Sequence, residues 1–539
     1  MLTGLRALST APLGCVPDLL AARHPRATLR SDRPEPVLGG RRSVGYPDYA
    51  AAVRRTAAVL GAAGIGPGDV VAVSVQDGLG VHALVHGLWG RGAVPALISP
   101  RLEPAGALTL LHRLRPHGMV TDGATLTRYD DVVASIESEL SRPVLVIEGT
   151  QWRQTPARSQ WRADTAADLP VSPPQWDQER PALVTHTSGT TRTEPRLVVH
   201  RERSVRLQTQ LQVGGAGLLL PDVRSYAVAT SASHSRSITG LLSSMTLGWD
   251  VSLVNDVRPE HALHTIGIQG PDLLESYPNV LLLWETGTED LSRYLARTRV
   301  FFSTYDAVHP RTVARLLQAS RRRLPLYLQG YGQSEVGPIS ARVYTRWSAR
   351  RGAHRDGRCV GWPVPGFTGH RVTAANGRRQ LDPRRTGDVQ VRTRAIAAGY
   401  LDGGDLFDQC ELGEWFGPGD VGRRNPWGCL HLLERGVDAV AGVPSTLAAE
   451  DVLLGQVPDL TEVIVLAADG GALPVVSTAS GRPPDAAAWR RAVRDLPVML
   501  PPLTIPWDSF PRTATYKVKR AALAGSLRAN GPLPTEGVR

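Results

Sequence analysis

Two lysines, Lys517 and Lys519, lie in the segment PRTATYKVKR at residues 511–520, and the rest of the chain contains no lysine. The chain has 61 basic side chains in 539 residues, so nearly all of its positive charge comes from arginine. A lysine ammonium is a compact point charge, whereas an arginine guanidinium is a wide planar fork. The bias predicts that this segment presents an ammonium to crowded anionic oxygens. The alternative is that two lysines share one loop by coincidence.

A hydroxyl-rich turn follows the apolar run at residues 181–186. Its central residues are Thr187, Ser188, Gly189, Thr190 and Thr191. Backbone amides and hydroxyls in such a turn can bind phosphate oxygens, and Arg196 can neutralise their charge. No Gly-Lys-Ser/Thr follows, so this is not a Walker P-loop. The pattern predicts a site for a nucleoside triphosphate, and an ordinary polar turn is the alternative when these residues are taken alone.

The elements that must position these residues alternate between apolar strands and helices over the first 300 residues. A strand at 69–75, a helix at 82–92 and a strand at 93–99 begin the pattern. Further strands are predicted at residues 142–148, 181–186, 250–254, 280–284, 299–304 and 324–329. Residues 150–180 are interpreted as a surface connection. This alternation predicts an α/β fold with a mostly parallel sheet.

The length and the change of pattern along the chain predict two domains. A chain of 539 residues exceeds the ~250–300 residues at which single cores stop growing. From about residue 357 the strands become short and are separated by Gly and Pro, which predicts a β-rich lobe. We therefore predict a large N-terminal domain, residues 1–435, with mostly parallel sheets flanked by helices plus this lobe. A small, mobile α+β C-terminal domain, residues 436–539, would carry Lys517.

Composition argues against several classes of protein. The sequence contains neither a signal-peptide apolar region nor a run of ~18 apolar residues that could cross a membrane. The cysteines lack metal-ligand spacing, so we expect neither disulfides nor zinc, and a reducing cytoplasm as the location: Cys15, Cys359, Cys410 and Cys429. The formal charge of +11 can steer an anionic substrate. Its densest cluster, at residues 320–325, is interpreted as a helix end, and a basic nucleic-acid-binding protein remains an alternative of another class.

An ordered series of motifs resembles the adenylate-forming superfamily, which includes acyl-CoA synthetases, peptide-synthetase adenylation domains and luciferases. The motifs are TSGTTRTEPR (187–196), LQGYGQSE (328–335), GRCVGWPVPG (357–366), GEWFGPGD (413–420), LHLLERGVD (430–438) and PRTATYKVKR. The resemblance covers nearly the whole chain, and the series is more specific than any single motif. It implies an AMP-forming ligase that uses ATP and Mg²⁺.

The resemblance also implies roles for individual residues. The turn from Thr187 to Thr191 would hold the β- and γ-phosphates, with Arg196 where the family usually has lysine. In the next motif, Gly330, Tyr331 and Gly332 would contact adenine and Ser334 a phosphate. Glu335, together with Thr190, would bind Mg²⁺, which prefers oxygen ligands. Asp420 would bind the ribose hydroxyls, with Arg435 beside it. Lys517 would lie between the substrate carboxylate and the α-phosphate.

Several positions depart from the family pattern. Arg192 replaces a glycine of the phosphate turn, and Tyr516 replaces the glycine before the catalytic lysine. At the domain junction, polar and glycine positions of the family are occupied by Val437, Ala441, Val443 and Pro444. In relatives this junction lies near the path of the acceptor thiol after the small domain rotates. The departures therefore leave thioester formation open.

The predicted substrate is a small, aromatic carboxylic acid, converted to an acyl-AMP with release of pyrophosphate. Tyr305 would narrow the acyl pocket, His234 would orient the carboxylate, and Arg236 could meet a second anionic group. CoA is the default acceptor, and a carrier-protein thiol or an amine is the alternative. Activation of another oxyanion, such as nitrite for diazotisation, is a further alternative. A scaffold that has lost catalysis would not be expected to retain Lys517 and Glu335.

Overall fold

The computed structural model describes residues 11–155, 177–187, 195–350, 358–374, 377, 379–401, 414–435, 440–468 and 471–529. The strands within these ranges are short, and their bounds follow in chain order. They are β1 (Thr28–Glu35), β2 (Arg41–Gly45), β3 (Val70–Ser74), β4 (Val94–Leu97), β5 (Gly118–Asp122), β6 (Val144–Glu148), β7 (Gln151–Thr155), β8 (Pro181–His186), β9 (Leu197–Arg201), β10 (Ser225–Ala229), β11 (Asp250–Leu253), β12 (Leu273–Ser276), β13 (Val300–Ser303), β14 (Leu326–Gln333), β15 (Gly337–Thr345), β16 (Cys359–Pro363), β17 (Thr368–Thr373), β18 (Gly387–Thr393), β19 (Gly399–Tyr400), β20 (Asp420–Arg424), β21 (Leu430–Arg435), β22 (Leu460–Ala468), β23 (Gly471–Thr478) and β24 (Leu503–Thr504).

Helices connect most of the parallel strands and cover the sheets. Several begin with a proline in their first turn, where the missing N–H is not needed. The helices are α1 (Val16–Arg23), α2 (Tyr46–Ala62), α3 (Leu79–Gly90), α4 (Pro104–Leu114), α5 (Gly123–Arg128), α6 (Asp130–Glu137), α7 (Glu202–Leu219), α8 (Ser235–Leu247), α9 (Pro259–Gln269), α10 (Pro278–Thr286), α11 (Ser292–Leu295), α12 (Pro310–Ala319), α13 (Arg346–Arg350), α14 (Thr446–Gln456), α15 (Ala486–Val493) and α16 (Arg520–Ala529).

The larger sheet changes direction at β14. Its strand order is β17-β18-β20-β21-β16-β15-β14-β13-β12-β10-β11-β1-β2. From β14 to β1 the neighbours are parallel, whereas β15 and the strands beyond it pair antiparallel. The parallel strands are rich in buried apolar side chains because helices pack on them. The end of β14 therefore lies where the parallel sheet meets the β-rich lobe.

A second sheet has the strand order β19-β9-β8-β4-β3-β5-β6-β7. Its central strands are parallel, and β8 and β9 form an antiparallel pair in which His186 lies opposite Leu197. The turn between β8 and β9 carries the phosphate-turn sequence, and residues 188–194 lie outside the described residues. Together, the two sheets and their helices confirm the predicted α/β class.

A small third sheet, β22-β23-β24, lies in the last hundred residues and packs with α14, α15 and α16. This part contacts the rest of the protein along α10 and α12. Asn279 donates a hydrogen bond to Glu462 over 3.0 Å, and Arg311 donates to the Leu454 carbonyl over 2.8 Å. Residues 436–439 are outside the described ranges, so the boundary at residue 435 stays a prediction.

Two local predictions were wrong. Residues 280–284 were predicted as a strand, but they lie in α10, and the strand of that region is β12 at Leu273–Ser276. A short apolar run has no periodicity that separates a strand from a buried helix, and here Pro278 starts the helix. Residues 151–155 were predicted as part of a connection, but they form β7, which pairs antiparallel with β6.

The cysteine prediction was also wrong. Cys359 and Cys429 form a disulfide, with their Cα atoms 6.6 Å apart, although 70 positions separate them in the chain. The pair arises because β16 and β21 are neighbours in the sheet, with Cys359 opposite His431. Both cysteines are buried, and the His431 ring lies beside them. Sequence spacing could not reveal this contact, because strand order is a property of the tertiary fold.

Candidate active site

A cavity of about 460 Å³ lies beyond the end of β14 and receives the lysine segment. Its walls come from β14 and the residues after it, from the ends of β8 and β9, from α7 and α8, and from the hairpin that carries Lys517. The residues predicted for nucleotide and substrate binding that line it are Thr187, Arg196, His234, Gly330, Tyr331, Gly332, Ser334, Glu335 and Lys517. Segments distant in sequence therefore meet at one cavity.

Lys517 is presented by a short hairpin. Arg512 and Val518 form an isolated antiparallel bridge, and the Thr513 amide donates to the Lys517 carbonyl over 2.8 Å. The Thr513 hydroxyl accepts from the Lys517 amide over 3.2 Å. These bonds hold the backbone of Lys517 on both sides, so its side chain lines both the main cavity and a smaller neighbouring one of about 200 Å³.

Glu335 and the two ends of the phosphate turn form one polar group. Glu335 is 7% exposed, and one of its carboxylate oxygens accepts a hydrogen bond from Tyr400 over 2.9 Å. The Arg196 guanidinium lies over the Tyr400 ring, 3.4 Å from its centre. Thr187 and Arg196 close the base of the turn through bonds of 2.8 and 2.9 Å. The predicted ligands Ser188, Gly189, Thr190 and Thr191 lie outside the described residues.

Asp420 lies at the mouth of the cavity, at the start of β20. It is buried, and it accepts hydrogen bonds from the Tyr331 hydroxyl and, over 3.3 Å, from the Gln333 side chain. In the sheet Asp420 lies opposite Arg435 on β21, and the structure describes only the backbone of Arg435. The sequence analysis missed Gln333. Its position in the GYGQSE motif, two residues after Tyr331, was the available signal.

Gly332 has a steric reason to be glycine. A Cβ at this position would lie 2.4 Å from the Gly337 carbonyl oxygen, closer than non-bonded atoms approach. The strands β14 and β15 shift register here. The irregularity turns the residues after Gly332, including Ser334 and Glu335, towards the cavity that they line.

An aromatic wall with two histidines lies on another side of the cavity. The His234 ring is 6.0 Å from the His186 ring and 5.8 Å from the Tyr305 ring. Burial, followed by the positive charge of neighbouring groups, lowers the pKa of His234 to about 3, so the ring is neutral at pH 7. Among the described residues His234 Nε2 and the Tyr305 hydroxyl have no hydrogen-bond partner. These polar atoms can bind a group that enters the cavity.

A buried ion pair supports one side of the cavity. Arg236, at the start of α8, donates to Glu275 over 2.6 Å and also to Gln212. Glu275 is 1% exposed, whereas the Arg236 side chain is 24% exposed and lines the cavity. Tyr226 donates to the same carboxylate, and burial together with Glu275 raises the pKa of Tyr226. The pair makes this wall polar but compensates its charge.

The sequence analysis named Arg236 but missed Glu275 and Gln212. The signal for Glu275 was a single carboxylate inside the apolar run LLES of β12, because a buried charge needs a partner. Gln212 lies on α7 and belongs with Gln208 and Thr239 to the polar lining of the cavity. Helical residues of this kind give no local signal, since polar side chains on one helix face are usually exposed to solvent.

None of the described helices is long and apolar enough to cross a membrane.

Comparison with known proteins places this architecture in a family. A model of the AMP-binding enzyme family matches residues 21–401. The chain is 37% identical over 531 residues to a 3-amino-2-hydroxy-4-methoxybenzoate diazotase from Streptomyces cremeus, covering 94% of this chain and 93% of that protein. It is 24% identical over 532 residues to a 3-hydroxybenzoate–CoA ligase from an Aromatoleum species, covering 94% and 95% of the two chains.

Solved structures show the same fold. A benzoate CoA ligase from Burkholderia xenovorans LB400 matches with a TM-score of 0.77 over 95% of this chain and 99% of that chain, at 18% identity. At this identity the likeness concerns the fold alone. The family match covers most of the chain and includes the turn after β8 and the motif at the end of β14. The chain therefore belongs to the AMP-binding enzyme family and is an AMP-forming ligase.

Proposed function

We propose that this protein uses ATP to adenylate nitrite and transfers the nitrosyl group to an aromatic amine that carries a polar ring substituent. The observation that carries this choice is the 37% identity, over nearly the full length of both chains, to a protein named as an aminobenzoate diazotase. The compact cavity with aromatic and polar walls supports an aromatic co-substrate. At the domain junction, Ala441, Val443 and Pro444 differ from the pattern associated with thioester formation.

In the first step a nitrite oxygen attacks the α-phosphorus of ATP, and the bond to pyrophosphate breaks. The Lys517 ammonium would attract both nitrite and the α-phosphate and align them for this attack. Thr187 and Arg196 would hold the outer phosphates, and Asp420 the ribose. The fit to Mg²⁺ rests on Glu335, a buried carboxylate that lines the cavity and offers hard oxygen ligands. When bound, Mg²⁺ would offset phosphate charge.

In the second step the amine lone pair attacks the nitroso nitrogen. The bond between that nitrogen and the oxygen on phosphorus breaks, AMP leaves, and the amine releases one proton. The resulting N-nitrosamine takes up a proton and loses water to give the diazonium ion. His234 is neutral, with one ring nitrogen that has no hydrogen-bond partner among the described residues. It would accept a hydrogen bond from the amine and orient its lone pair. Arg236 and Gln212 would bind the polar ring substituent.

A second candidate function is activation of an aromatic carboxylic acid with transfer to CoA. The observation that favours it is the whole-length similarity to a 3-hydroxybenzoate–CoA ligase, at 24% identity. The same residues would serve the first step, with a ring carboxylate in place of nitrite. The two candidates differ in the small substrate that must be present for pyrophosphate to form.

The test measures pyrophosphate and AMP from purified protein with ATP, Mg²⁺ and 3-aminobenzoate, with nitrite, with CoA, or with neither. The proposal expects turnover that needs nitrite and not CoA, and a diazonium product that couples to a naphthol to give a coloured azo dye. Turnover that needs CoA and ignores nitrite would replace the proposal with the second candidate. Turnover in neither condition, across a panel of aminobenzoates, would refute both.

Lys517 and its neighbour Lys519 form a matched pair for testing the catalytic role. Lys517→Ala should lower the rate of pyrophosphate formation by about 10²-fold or more, since a positioned charge at the reacting phosphate is lost. Lys519→Ala removes an ammonium from the same hairpin, but Lys519 is not among the residues that line the cavity, so this variant should keep most of the activity. Equal activities for the two variants would contradict the assignment.

A further inference from the structure

Tyr516, the residue before Lys517, has a backbone conformation that side chains other than glycine rarely adopt. Its φ angle is +59°, in the left-handed region. The Tyr516 amide donates to the Thr513 carbonyl over 3.0 Å, while the Thr513 amide bonds the Lys517 carbonyl. This is a turn followed by one left-handed residue, a position that favours glycine. An aromatic residue that persists there must gain something from its ring.

The Tyr516 ring makes contacts with three different parts of the chain. It stacks on Trp507, with the ring centres 6.1 Å apart and the planes 28° apart. It also lies 5.5 Å from the buried Tyr277 ring at the start of α10. The Arg101 guanidinium lies over the ring at 5.0 Å from its centre. Trp507 belongs to the same C-terminal part as Tyr516, whereas Tyr277 and Arg101 belong to the large sheets and their helices.

Arg101 connects this contact to the wall of the cavity. It forms an ion pair with Asp77 over 3.2 Å. The buried Asp77 carboxylate also accepts from the Ser231 hydroxyl and the Ala232 amide, each over 2.8 Å. These residues immediately precede His234, which lines the cavity. The ring that adjoins Lys517 therefore docks on the same framework that holds His234.

We infer that Tyr516 is a positioning residue: its ring docks between Arg101, Tyr277 and Trp507 and holds the hairpin where Lys517 reaches the cavity. This inference rests on the proposed role of Lys517 in adenylation. The ring contacts form when the hairpin lies against the large part of the protein, so they stabilise the arrangement in which the ammonium lines the cavity. They would act on kcat, because they do not touch the space where nucleotide binds.

The experiment compares Tyr516→Gly and Tyr516→Phe with the wild type in the pyrophosphate assay with ATP and nitrite. Glycine suits the left-handed backbone but removes the ring, so kcat should fall about 10–100-fold with the KM for ATP changed less than about threefold. Phenylalanine keeps the ring and should retain at least about half of the wild-type kcat. Arg115→Gly is the control, because Arg115 is exposed and also has a left-handed φ of +46°, but lies at the end of α4. It should leave kcat unchanged.

A second readout does not depend on turnover. Hydrogen–deuterium exchange of a peptide spanning residues 507–519, without nucleotide, should be faster in Tyr516→Gly than in the wild type and unchanged in Arg115→Gly. Wild-type kcat in Tyr516→Gly, equal losses in the Gly and Phe variants, or unchanged exchange would each overturn the inference. If Lys517→Ala is also fully active, the proposed function fails. If Lys517→Ala is inactive while Tyr516→Gly is not, only the positioning role fails.

Discussion

Neutralising Glu275 should change which aromatic substrates the protein prefers. In the wild type, Glu275 compensates the charge of Arg236 over 2.6 Å, and Arg236 is the partner that lines the cavity. Glu275→Gln keeps the shape and a hydrogen-bond acceptor but leaves the guanidinium with uncompensated charge. A ring substituent that carries a negative charge would then replace the missing carboxylate. The variant should therefore favour anionic substrates over neutral ones.

The magnitude follows from the distance and the surroundings. A carboxylate about 4 Å from the guanidinium would be attracted by about 4 kcal/mol at an effective dielectric constant of ~20. Desolvation of the carboxylate offsets much of this. A net gain of about 1.4 to 2.7 kcal/mol corresponds to a 10- to 100-fold lower KM. Removing one partner of a buried pair usually costs about 3–5 kcal/mol. Because Arg236 is 24% exposed, we expect about 2 kcal/mol of lost stability.

The assay compares the KM values of 3-aminobenzoate and 3-aminobenzamide, which differ in charge at one substituent. The ratio of the two should shift towards 3-aminobenzoate in Glu275→Gln. Glu285→Gln is a matched control, because Glu285 is equally buried and pairs with Arg311 over 3.2 Å, and neither residue lines the main cavity. A loss of stability without a change in the KM ratio would refute the reasoning, since Arg236 would then be purely structural.

Two further predictions concern stability. Burial lowers the pKa of four histidines, to about 3 for three of them and about 4 for His200, so the native state keeps them neutral while the unfolded chain binds protons below pH 6.5: His82, His86, His200 and His234. Their contribution is present above pH 6.5 and is lost as the pH falls, by about 1–2 kcal/mol per ring between pH 7 and 5, so the urea midpoint should drop over this range. Burial raises the pKa of Glu35 and Glu450, which act in the opposite direction, and a midpoint that rises towards pH 5 would show that they dominate. The Cys359–Cys429 disulfide closes a long loop, and Cys359→Ser should lower stability by about 2–4 kcal/mol. Peptide mapping without reductant should recover the linked peptides, and finding both thiols alkylated would contradict the bond.

Much of the fold and some of the site could be predicted from the sequence because the signals are local. Apolar runs at 69–75, 250–254 and 299–304 became β3, β11 and β13. The GYGQSE motif and the lysine segment are short stretches whose residue types already limit their chemistry, and they line one cavity. The roles assigned to these residues stay predictions. The run at 280–284 failed because its five residues fit a strand and a buried helix equally well.

What the sequence by itself determined is the order of the motifs, and with it the family and the identity of the side chains that can do its chemistry. Only the tertiary structure decided which distant residues meet. Glu275 pairs with Arg236, Cys359 with Cys429, and Tyr516 with Arg101 and Tyr277. The physical reason is that a motif is defined by neighbours along the chain, whereas these contacts depend on strand order and helix packing. The charge and shape of the cavity are therefore properties of the folded chain.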